Sequence, residues 1–165
     1  MKTRIITKTA LLAAAALIVF VIEAQIPSFI PVPGVKLGLA NVFVLFALYA
    51  LGARQAVLLL VCKVALGSVL SGNGIGFMYS AAGGVLCFLA MLGMKRLLRP
   101  QQVWVCSVCG AVGHNAGQLA VAVCVTRTWQ VLAYAPVLLA SGLLAGLATG
   151  VIAQLVLERL RGISK

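Results

Sequence analysis

The chain has 165 residues, of which 63% are hydrophobic and only 9% charged, with a mean hydropathy of +1.16. A water-soluble domain carries roughly 25% charged residues, and a small one has too much surface to hide such a deficit, so a soluble fold is excluded. The formal charge of +11 comes from 13 Lys and Arg against two Glu and no Asp; these cations sit mainly in short loops and at the ends of apolar runs, the pattern of membrane topology rather than of nucleic-acid binding.

The apolar runs are continuous rather than alternating, which predicts an all-α polytopic membrane protein and not a β-barrel. Six transmembrane helices are expected in a single membrane domain over residues 1–165. The first runs from about Thr9 to Ile26, and Pro27, Pro31, Pro33 and Gly34 forbid its continuation. Its basic start and the Ile22-Glu23-Ala24 end also fit a cleaved signal peptide, but the apolar run exceeds the usual length of such a segment. The second, about Leu37 to Gly52, is short for a bilayer that needs about 20 residues, and is read as oblique or partly re-entrant. The others run from about Arg54 to Ser71, Gly76 to Met94, Val103 to Val125 and Leu132 to Leu157.

Charge orients these spans. With the N-terminus inside, one side receives Lys2, Arg4, Lys8, Arg54, Lys95, Arg96, Arg99, Arg159, Arg161 and Lys165, and the other only Lys36 and Arg127. Ten against two places both termini of this inner-membrane chain in the cytoplasm.

Polar residues within the spans are few and therefore informative. Lys63 falls mid-span, where a cation costs at least about 2.5 kcal/mol on insertion scales, so it must face protein, water or an anion. Glu23, in the outer third of the first span, differs from it in depth by only about 7–8 Å. A Glu23–Lys63 ion pair and an anionic ligand on Lys63 are both open. His114, Asn115 and Gln118 share one wedge of the fifth helix, with Ser107 two turns below, and Asn41 lies at a depth to join them. Interhelical hydrogen bonding and a water-lined pocket both account for such a wedge. Gly113 and Gly117, and then Gly142, Gly146 and Gly150, make small-x-x-x-small steps for close helix packing. Ala10 and Ala14 give the first helix a small face that suits packing or a membrane partner.

The five cysteines lie in apolar runs and read as small filler; Cys106-x-x-Cys109 has no second pair to complete a zinc site. No metal, cofactor or catalytic group is expected. No P-loop or G-x-S-x-G elbow is present, and the Ser71–Gly76 glycine turn lacks the preceding strand of a dinucleotide site. With two carboxylates in all, an aspartate-rich magnesium-diphosphate centre is excluded.

Segments Pro33-Gly34-Val35-Lys36-Leu37-Gly38-Leu39-Ala40-Asn41, Leu66-Gly67-Ser68, Ser80-Ala81-Ala82-Gly83-Gly84, and Gly110 through Gln118, with Pro136 through Gly150, resemble a bacterial membrane family. That family is labelled heptaprenyl diphosphate synthase component I, or Gx transporter. Lys63 stands where its pattern usually has arginine, keeping the cation but losing the bidentate fork. The family is similar to the substrate-binding S components of energy-coupling-factor transporters. The resemblance implies a six-helix bundle with an outward-opening pocket, served by a separate membrane subunit and ATPases that dock on Ala10 and Ala14. In that reading Lys63, Asn41, His114, Asn115, Gln118 and Glu23 bind a small anionic vitamin- or isoprenoid-like solute, and the glycine turn after Ser71 gates the pocket. The family label implies instead a noncatalytic membrane component of a heptaprenyl or polyprenyl diphosphate synthase in quinone biosynthesis. An assembly factor of a membrane redox complex is the third expectation.

Overall fold

The computed structural model describes residues 2–25, 38–72, 74–99 and 101–163. The prolines at 27, 31, 33 and 100, Gly34, Lys36, Asn73 and Lys165 lie outside them, so the helix-ending and charge roles assigned to those positions are not described. Among these residues the chain is all-α, with helices α1 (Lys2–Gln25), α2 (Asn41–Ala50), α3 (Ala53–Ser71), α4 (Gly74–Leu97), α5 (Val103–Thr126) and α6 (Ala135–Ile163). A short 3-10 turn, Trp129–Tyr134, leads into α6. Five of the helices are long and apolar enough to cross a membrane, and the protein is a multi-pass membrane bundle. The outward surface is apolar, with Ile6, Leu11, Val69, Leu97 and Leu144 among its exposed residues, as lipid contact requires.

Helices α1 and α4, and the far end of α6, exceed the hydropathic spans because hydropathy marks the hydrocarbon slab and not the ends of the hydrogen-bond ladder. Thus α1 begins at Lys2, not Thr9, carrying its basic turn outside the apolar stretch. By contrast, α2 falls short of Leu37 and Gly52, and α6 starts at Ala135, not Leu132, because the 3-10 turn takes up Leu132. Ala16 and Phe20 of α1 are buried in the bundle.

The second segment is the departure from regularity. At ten residues, α2 spans roughly 15 Å, half of a hydrocarbon core of about 30 Å. Glycines bound it: Gly38 (φ +78°) in the turn before it and Gly52 (φ +108°) after it hold backbone angles that side chains disfavour. Its first turn lies level with the middle of α3, where Lys63 bonds Asn41. Its far end is closed by Lys95, whose Nζ donates to the Leu48 carbonyl at 2.6 Å and lies 5.1 Å from the Tyr49 ring. A cation on the carbonyl end of a helix satisfies orphan acceptors and opposes the helix dipole. Irregular backbone at membrane depth is tolerated only inside protein, and Ala40 in the turn is buried.

Glycines set the closest helix contacts. Gly113 and Gly117 face α4, where a methyl group would fall 2.9 Å from the Leu86 carbonyl oxygen and 2.6 Å from that of Ala82. Gly142, Gly146 and Gly150 face α5 at Asn115, Ala111 and Ser107. Both small-residue series therefore serve packing within the chain. The core they enclose gathers Val44, Leu45, Leu48, Leu59, Cys87, Met91 and Cys106.

Candidate functional site

Five helices bring polar side chains together inside the bundle. The centre is Lys63 of α3, 3% exposed, whose Nζ donates to Asn41 Oδ1 at the start of α2, 2.5 Å away. Glu23, also buried, comes from the end of α1, and its carboxylate accepts the backbone N–H of Gly38. A small cavity is lined by Phe20, Glu23, Gly38, Ala40, Lys63, Ser80 and His114. The cation and the carboxylate thus share one wall-to-wall space.

His114 is fixed by sterics as much as by polarity. Its imidazole lies between two glycines: a methyl group added at Gly38 would sit 2.7 Å from Cδ2, and one at Gly83 2.6 Å from Nδ1. Glycine at both positions is what lets the ring reach the centre of the bundle. Gly38→Ala carries an additional penalty of about 1–2 kcal/mol from the positive φ alone. We expect Gly38→Ala to lower the melting temperature of the detergent-solubilised protein; an unchanged melting curve would show that the turn yields freely.

The wedge read on α5 divides in the structure. His114 faces the cavity. Asn115 turns to α6, where its Nδ2 donates to the Leu138 carbonyl at 2.5 Å. Gln118 is fully buried but does not border this cavity. The reason is angular: 100° per residue separates His114 from Asn115, and on a helix packed between two others that step changes the neighbour from α4 to α6. Ser107 and Thr149 meet at 3.2 Å and border a second small cavity with Gly38, Asn41, Cys87 and Met91. Asn41 therefore connects the two spaces. Ala10 and Ala14 are exposed on α1, remote from this cluster.

Sequence reasoning missed Gly38, Phe20, Ser80 and Thr149 as wall residues. A glycine three positions before Asn41 was the available signal for Gly38. Among the described residues of the Ser71–Gly76 turn, none lines either cavity.

Both cavities are small, with about 10 Å³ and 20 Å³ of room for water. That suffices for about one water each. The Gly38–Ala40 turn borders both spaces. Two polar latches hold it: Glu23 on the Gly38 N–H and Lys63 on Asn41.

The cysteines carry no such arrangement. All five are free, and the Cys106 Sγ is 3.3 Å from the Met91 carbonyl oxygen. No group of three or more His, Cys, Asp or Glu side chains that could hold a metal occurs among the described residues. The two carboxylates lie on different helices and at different depths. Glu23 is level with His114, whereas Glu158 is bonded to Gln154, which meets Trp104 at the other end of α5. Ten residues of α5 put the levels of His114 and Trp104 roughly 15 Å apart.

The family model described as heptaprenyl diphosphate synthase component I matches residues 12–156. No curated protein and no solved structure matches the chain.

Proposed function

The chain belongs to the heptaprenyl diphosphate synthase component I family, and from this premise we propose that it is the noncatalytic membrane component that seats a prenyl diphosphate synthase at the bilayer. The observation that carries the proposal is the family match through all six helices, in a chain whose only two carboxylates lie at separate levels of the bundle. Prenyl transfer by magnesium-diphosphate chemistry needs several carboxylates around the metal-bound diphosphate, so the chemistry belongs to a partner. Arg54, Lys95, Arg96, Arg99 and Arg159 supply a basic face for that enzyme. Affinity-tagged chain should bring down a prenyl diphosphate synthase, and deletion of its gene should remove most of that enzyme's membrane-bound activity. Unaltered activity in the deletion strain would sink the proposal.

A second reading is favoured by a specific observation, the convergence of Lys63, His114 and Glu23 on one small cavity, with Asn41 bonded to Lys63. In it the chain is the binding subunit for a small anionic solute, moved by a separate membrane subunit and ATPases that engage Ala10 and Ala14. Lys63 meets the anion, Asn41 and His114 add hydrogen bonds, and Asn115 and Gln118 hold α5 in register. Native mass spectrometry separates the readings: a co-purified anionic small molecule supports this one, and a co-purified synthase without it supports the first.

Both readings take the chain to lie in a bacterial inner membrane with its termini in the cytoplasm. In a cysteine-free background, Thr128→Cys should react with a membrane-impermeant maleimide in intact spheroplasts, and Arg99→Cys only after permeabilisation. The reverse pattern would invert the topology.

A further inference from the structure

A second, larger concavity lies away from the buried cluster, between α1 and α3. These helices run parallel: Phe20 packs at Gly67, and Ile5 to Ala13 lie alongside Arg54 to Cys62. Between them is a groove of about 590 Å³, within the usual size range of small-molecule sites. It runs roughly 12 Å along the helix axes. Its walls are Ile5, Thr9, Ala13 and Leu58, and one end is closed by Arg54 and Gln55. Ala10 and Ala13 keep the α1 wall low, which leaves the space open to the lipid side.

The chemistry of the groove is asymmetric. Away from the Arg54 end the walls are aliphatic except for Cys62 and Thr9, whose hydroxyl is already spent on the Ile5 carbonyl at 2.9 Å. The polar end carries a permanent guanidinium, that of Arg54; Arg4 and Lys8 are exposed on α1. Neither carboxylate of the chain lies among the lining residues. Such a space fits a single apolar chain whose anionic head meets Arg54 at the membrane surface, where two guanidinium N–H groups can fork onto phosphate oxygens.

We propose that the α1–α3 groove binds the hydrocarbon chain of a prenyl diphosphate, with its diphosphate on Arg54. The assignment of a prenyl rather than an acyl chain rests on the proposed pairing with a prenyl diphosphate synthase. It gives that pairing a purpose: the product of a water-exposed enzyme is an amphiphile that must enter the bilayer, and the groove receives its tail while the head stays at the basic surface.

The test uses the full chain in phosphatidylcholine nanodiscs and a photoreactive farnesyl diphosphate analogue. Label is expected in residues 5–13 and 54–62. Heptaprenyl diphosphate should displace it at about tenfold lower concentration than heptaprenol, since a charge-assisted bond contributes a factor of that order. Arg54→Gln should remove that preference, and Ala10→Phe should block labelling by filling the groove. Both positions are exposed, so folding is preserved and is checked by a monodisperse elution profile. Val69→Phe, on the lipid-facing surface of α3 outside the groove, should label normally. Equal displacement by phosphatidylglycerol would make this a phospholipid seat, and label that Ala10→Phe leaves intact, or that Val69→Phe removes as well, would also overturn the proposal. Synthase co-purification is scored on the same preparations. Labelling without co-purification keeps the groove and removes the partner, and co-purification without labelling does the reverse.

Discussion

Lys63→Met is expected to abolish retention of any anionic ligand in the central cavity and to lower folding stability by about 3–5 kcal/mol, the loss typical when one partner of a buried pair of opposite charges is removed. Two terms oppose each other in this variant. Removing a cation from mid-membrane relieves an insertion cost of about 2.5–3.5 kcal/mol. Against it, Asn41 loses the ammonium that fixes the start of α2, and the Glu23 carboxylate is left in the cavity without an opposing charge. The second effect dominates because the native lysine is already housed, so its insertion cost is largely offset by its neighbours. A Glu23→Gln/Lys63→Met double variant should recover most of the stability, as no unmatched charge then remains, while ligand retention stays lost. Stability is read from SDS denaturation curves and retention from native mass spectrometry. A single variant that still carries an anionic ligand would remove the binding role of Lys63. One that loses the ligand without losing stability would show that Glu23 does not depend on it.

Much of this arrangement was legible in the sequence because bilayers restrict what a chain can do. Continuous apolar runs gave the helices. Their ends run past the expected spans at Lys2 and Leu97, while α2 is shorter than expected at both ends and α6 starts at Ala135 after a 3-10 turn. The short second segment was visible as a length deficit, but its cause was not. A ten-residue half-helix held between Gly38 and Gly52 depends on backbone angles, and composition does not report them. The central site was legible by cost: Lys63, Glu23, Asn41 and His114 are expensive in lipid, and expense predicts convergence. Direction was harder. Asn115 is next to His114 in sequence yet serves the α6 contact, because which neighbour a helical face meets is decided by tertiary packing. Lys95, read from sequence only as a topological charge, also caps α2. The small size of both cavities was beyond any residue count, since the Gly38–Ala40 turn that borders them is placed by tertiary packing.

Gly117→Val should be the most disruptive packing change in the bundle. A side chain there meets backbone on the facing helix, not a movable side chain: the first added carbon would lie 2.6 Å from the Ala82 carbonyl oxygen and 2.8 Å from the Gly83 Cα. Neither atom can rotate away, so α4 and α5 must separate, and the separation reaches His114, whose ring packs against Gly83 one turn away. Overpacking of this kind costs typically about 1–3 kcal/mol and more where backbone must shift. In a membrane, where helices associate through close van der Waals contact rather than a hydrophobic drive, there is little else to offset it. Gly93 on α4 supplies the contrast. It is exposed, with nothing within 4 Å of an added methyl group. Gly93→Ala should therefore raise stability slightly, by about 0.5–1 kcal/mol, through lower backbone entropy in the unfolded chain. SDS denaturation of the two variants side by side checks both signs. If Gly117→Val melts like the parent, then α4 and α5 do not pack backbone to backbone, and the steric seating of His114 at the centre of the bundle fails with that contact.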